Sequence, residues 1–115
     1  MASTFKNAGI TVPVVDNTSG DLFTAGATAT AVIHALYISN KSTTASATVN
    51  VKVTTDGGST FYHIGKSLEV PPNNTLTLDK PVNLESNDKV RIVADANPDS
   101  SSVDVEAYAS ILELT

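Results

Sequence analysis

The segment Ala47-Thr-Val-Asn-Val-Lys-Val-Thr54 restricts the fold more than any other part of the chain. Ala47, Val49, Val51 and Val53 occupy every second position, and Thr48, Asn50, Lys52 and Thr54 stand between them. That period belongs to a strand with one buried and one wet face, because successive side chains of extended backbone point to opposite sides. Asp56-Gly57-Gly58 follows almost at once. Glycine enters the left-handed region without a Cβ clash, so this triplet predicts a hairpin turn leading into a second strand over 60–70.

The same spacing recurs on both sides of the hairpin. Tyr62, Ile64, Leu68 and Val70 share a phase, broken at Gly65-Lys66, where a bulge is expected. Pro71-Pro72-Asn73-Asn74 ends that strand, since proline fixes φ and donates no ladder hydrogen bond. Leu76 and Leu78 mark the next strand, and Val82 and Leu84 extend it past Pro81. Glu85-Ser86-Asn87-Asp88 forms a polar turn before Val90, Ile92 and Ala94. Two segments, 29–39 and 103–114, are apolar in both phases. Either a bulge near Ala109 switches the register of the last strand, or the second face is covered, for instance by another subunit.

Composition points the same way. The 12 Ser, 15 Thr and 13 Val suit strands and turns, and 115 residues make one domain. Seven or eight short antiparallel strands with turn signals between them predict an all-β sandwich, jelly-roll or immunoglobulin-like, over 22–115. Residues 1–21 are punctuated by Gly9, Pro13 and Gly20 and read as an N-terminal arm or edge strand. In the arm reading, Phe5, Ile10, Val12, Val14 and Val15 lie along a neighbouring molecule, and deleting 1–15 leaves the sandwich folded.

Seven Lys and Arg against 12 Asp and Glu give a formal charge of −5, and the cations are scattered singly, which argues against nucleic acid as a partner. No secretory leader pattern and no apolar run of about 18 residues is present, so no membrane partner is expected. The chain lacks cysteine, excluding disulfides and thiolate metal sites. His34 and His63 stand alone in strands, and the nucleophile-elbow, phosphate-loop and zinc-helix patterns are missing. The expectation is therefore no enzyme and no cofactor. A partial calcium-loop spacing does occur, with Asp95, Asn97 and Asp99 followed by Glu106, but Ser100 replaces the turn glycine, Pro98 intrudes, and strands flank it where helices are required.

The strings LFTAGATATAVIHALYISNKS, ATVNVKVTTDGGSTFYHIGKSLEVPPNNTLTLDKPVNLESNDKVRIVA and VDVEAYASILEL resemble small virion proteins of tailed phages, over about four fifths of the chain. In the pattern Pro81, Leu84, Asp88, the residue before the aspartate is Asn87, where many relatives have glycine. The resemblance implies a non-enzymatic part of the virion, made in the host cytoplasm. It does not fix the shell or tail position; a cysteine-free sandwich with apolar strand faces and no active site suits capsid decoration or cementing, with the phage major capsid protein or other virion proteins as partners. A neck, tail or fibre-attachment role is the alternative. Strands apolar on both faces add the expectation of a homo-oligomer and of a contact face at Leu112 and Leu114. A carbohydrate-binding sandwich is disfavoured by the lack of Trp and the presence of only Tyr37, Tyr62 and Tyr108.

Overall fold

The computed structural model describes residues 3–95 and 104–115. Among the described residues nine strands run in order: β1 Ser3–Thr11, β2 Asp21–Thr24, β3 Thr30–Asn40, β4 Ala47–Thr54, β5 Phe61–Val70, β6 Thr75–Leu78, β7 Val82–Leu84, β8 Lys89–Ala94 and β9 Val105–Leu114. A 3-10 turn, Thr18–Gly20, precedes β2. One sheet has the order β1-β9-β3-β6, with β7 also on β3; the other has β2-β8-β4-β5. Counting β6 and β7 as one strand broken at Asp79-Lys80-Pro81, this interleaving is that of a jelly roll: among the described strands only β4 and β5 are sequential neighbours within a sheet.

The core fills the space between the sheets. Ile33, Ile38, Val49, Val51, Leu84, Val90, Ile92, Val105 and Ile111 are all essentially inaccessible, contributed by strands of both sheets. Short β-branched side chains let two twisted sheets approach closely, and burying each stabilises by about 1.5–3 kcal/mol before entropy is counted. At the end of β3 the core closes on a satisfied amide. Asn40 donates to the carbonyls of Ala45 and Val70, at 2.9 and 3.0 Å, and accepts from the Ser42 amide at 2.9 Å.

The hairpin at Asp56-Gly57-Gly58 forms as expected, with φ of +79° and +121° at the glycines. The Thr54 hydroxyl accepts from the Gly58 amide, and the Asp56 carboxylate from Ser59 and Thr60. The β5 register shifts opposite Val51, at the expected bulge, where the Asn50 side chain accepts from the Ser67 amide. Asn87 sits at φ +67°, the conformation glycine favours, which asparagine tolerates better than most residues. Gly20 is required by close approach: a Cβ there would lie 2.5 Å from the Ile92 carbonyl oxygen.

Two open alternatives are decided and two expectations are corrected. The register switch lies in β3, not near Ala109. The pairing with β9 slips between Ile33 and Ala35, so His34 is an extra residue, and Ala31, Ile33, Leu36, Ile38 and Asn40 all turn inward. β9 is regular, with Val105, Ala107, Ala109, Ile111 and Glu113 inward throughout. Second, Ser3–Thr11 is an edge strand rather than a free arm, paired residue for residue with β9. Third, Val12 is wholly buried in the chain's own core, its amide bonded to the Val105 carbonyl, and Ile10 packs against that core. Neither is free to lie along a neighbour. Fourth, the supposed wet face of β4 is dry at its end, where Lys52 and Thr54 are buried.

Candidate interaction surface

Pairing across β1, β9, β3 and β6 places side chains in rows on the outer face of the larger sheet. Because partners in an antiparallel ladder share a face, each row can be read from the register. At one end Phe5, Leu112 and Val32 stand side by side on β1, β9 and β3. Phe5 is 83% exposed, Leu112 and Val32 are half-buried, and Leu114 extends the patch between Ser3 and Thr30. Two of the sequence-predicted contact residues, Phe5 and Leu112, are thus direct neighbours. Val32, a residue of the same row, was hidden in the sequence because the β3 bulge reverses its apparent phase.

The other end of the face is aromatic and polar. Gly9, Tyr108, Tyr37 and Thr77 form one row, and Thr11, Glu106, Ser39 and Thr75 the row beyond it. The tyrosine rings lie 6.3 Å apart, inclined by 41°, and both remain substantially exposed. Glu106 pairs with Lys41 at 3.3 Å, and the Ser39 and Thr75 hydroxyls are hydrogen-bonded at 2.9 Å. A concavity of 420 Å³ opens here.

The outer face of the smaller sheet is covered differently. The Pro13 carbonyl accepts from the Ala94 amide, and from there the chain crosses to Asp16, whose carboxylate binds both Lys52 and Arg91. Arg91 also binds Asp21 at 2.7 Å. The Lys52 hydrogen bond, followed by that of Arg91, holds the Asp16 carboxyl below its ordinary range against an opposing effect of burial. Asp21, with Asp16 behind it, raises the Arg91 pKa. Val14 and Val15, in the same crossing segment, are exposed. At the end of the β1–β9 pair, Lys6 reaches Glu113 at 2.5 Å, which with the Gly26 amide lowers the Glu113 pKa.

Of the calcium-loop residues, Asp95 accepts from Asn50 beside the smaller sheet, whereas Glu106 lies on the outer face of the larger one. Asn97 and Asp99 lie outside the described residues. His34 and His63 are both exposed. Among the described residues no three His, Asp or Glu side chains are grouped as metal ligands.

No protein-family profile matches the chain, and no curated protein matches its sequence. Solved structures do share its fold. A chain of the acid-stable capsid of Helicobacter pylori bacteriophage KHP30 superposes with a TM-score of 0.52 at 16% identity, covering 99% of this chain and 89% of that one. The core of Drosophila NLP, a structure bearing on pentamer formation and histone binding, superposes with a TM-score of 0.50 at 13% identity, covering 96% and 98%. The sandwich is therefore an established fold, shared over nearly the entire length of both neighbours.

Proposed function

We propose that this chain is a non-enzymatic virion protein that decorates a phage capsid and cements neighbouring coat subunits. The observation carrying this reading is the row Phe5, Leu112 and Val32, an apolar strip held rigidly across three hydrogen-bonded strands and presented to solvent. A strip of that kind gains free energy by being covered, and many weak contacts of this sort around a shell add up to mechanical resistance. The likeness to a chain of a phage capsid, nearly end to end, supports the setting. Self-association belongs to the same proposal, with the coat or other virion proteins as further partners.

Localisation on the virion by cryo-electron microscopy tests the position, and heating particles with and without the protein tests cementing. Density on the shell and earlier rupture of depleted particles are expected. Equal fragility, or density only at the neck or tail, overturns the cementing role.

A further inference from the structure

The polar end of the outer face has a composition that the apolar end lacks. We infer that the concavity between Tyr37, Tyr108 and Glu106 is a binding site for neutral oligosaccharides, independent of where the protein sits in a particle; the scarcity of aromatics that argued against sugar binding in the sequence is offset because the fold pairs two of the three tyrosines across β3 and β9. Two of the chain's three tyrosines are cross-strand partners here, 6.3 Å apart, tilted and both substantially exposed, so that adjoining aromatic surface is open to a ligand. Sugar rings carry apolar C–H faces that stack on such rings, and equatorial hydroxyls that need donors and acceptors at the rim. The next row supplies them: the Glu106 carboxylate accepts, the Thr11 hydroxyl can donate and accept, and the Ser39 hydroxyl, bonded to Thr75, keeps a lone pair to accept with.

The opening between these groups depends on Gly9. It is the direct partner of Tyr108, and a Cβ there would meet only ordinary contacts, 3.6 Å from the Ala107 carbonyl oxygen and 3.9 Å from the Tyr108 ring. Glycine is therefore not needed to keep the backbone clear of a clash. What its missing side chain does is leave one flank of the ring uncovered. A volume of 420 Å³ falls within the range of small-ligand pockets. Charge selects among saccharides: Glu106 lines the site, Lys41 is already paired with it, and the chain carries −5 overall, so uronates and other anionic sugars are repelled. The two ends of the face are also separate, since Tyr108 and Leu112 are about 13 Å apart along β9. A saccharide at one end leaves the apolar row free.

The chain has no Trp, so its intrinsic fluorescence comes from three tyrosines, two of them in this site. The full-length protein is titrated with cellohexaose, mannohexaose and the hexamer of N-acetylglucosamine, with hexagalacturonate and a proline decamer as contrasts. Saturable binding of at least one neutral hexamer is expected, weakened about tenfold or more by Tyr37→Ala and by Tyr108→Ala. Gly9→Val fills the open flank while remaining compatible with a strand, and is expected to weaken binding equally with an unchanged melting temperature. Failure of all three neutral hexamers to bind saturably, or unaltered affinity in both tyrosine variants, overturns the site. Tighter binding of hexagalacturonate overturns the charge argument, and tighter binding of the proline decamer makes the groove a peptide site instead. None of these readouts uses particles, so the saccharide site and the capsid role fail separately.

Discussion

Lys52 and Arg91 stand directly opposite one another on β4 and β8, two cations side by side with the Phe61 ring against both, 5.3 Å from the ammonium and 4.3 Å from the guanidinium. Asp16 is the anion they share, and it arrives from the segment that crosses the smaller sheet. Their proximity is stable because the crossing segment closes over it.

Asp16→Ala leaves Arg91 its bond to Asp21 but takes from Lys52 the carboxylate it binds. Asp16 is itself half exposed, which limits the loss to about 1–2 kcal/mol. Urea denaturation should show this as a lower midpoint at unchanged slope. Adding Lys52→Met removes one of the repelling charges and should recover part of the loss; no recovery would mean that Asp16 acts only by packing the segment.

Acid should destabilise the domain in a defined window. Thr60 and Thr54 hold the Asp56 carboxyl down to about 2, Lys52 lowers Asp16, and Lys6 lowers Glu113. A depressed folded-state value means that the unfolded chain takes up protons first as pH falls. The stability from these groups is complete above the ordinary carboxylate range, near pH 4, and drains away between about pH 4 and 2. Calorimetry should show a melting temperature insensitive to these carboxylates from about pH 7 to 5 and falling below 4. In Asp56→Asn the lower part of that fall should be shallower.

Adjacent residues of β9 should respond in opposite ways. Ile111 is enclosed between the sheets, so Ile111→Ala should cost about 2–5 kcal/mol. Leu112 lies on the outer face, where Leu112→Ser should cost under about 1 kcal/mol yet weaken attachment to particles. A stability loss for Leu112→Ser equal to that for Ile111→Ala would show that the outer face is packed within the monomer.

Deleting residues 1–15 should abolish cooperative melting. The deletion removes all of β1, exposes the edge of β9, empties the Val12 position in the core and releases the Pro13 bond to Ala94. A truncated protein that melts within a few degrees of the full chain would restore the free-arm reading.

The alternation of Val49, Val51 and Val53, the turn glycines and the prolines after Val70 determined the strands, the hairpin and the all-β class. Each depends on contacts within a few residues, and a period of two is visible in the sequence itself. Tertiary structure decided the rest. The bulge at His34 leaves no composition signal, yet it moves Leu36 and Ile38 inward and brings Val32 to the outer face beside Phe5 and Leu112. Val12 reads like its exposed neighbours Val14 and Val15, and only closure of β1 onto β9 buries it. Tyr37 and Tyr108 are 71 positions apart. Which residues become cross-strand neighbours depends on strand order and register, and these follow from packing the entire core at once rather than from any local run of side chains.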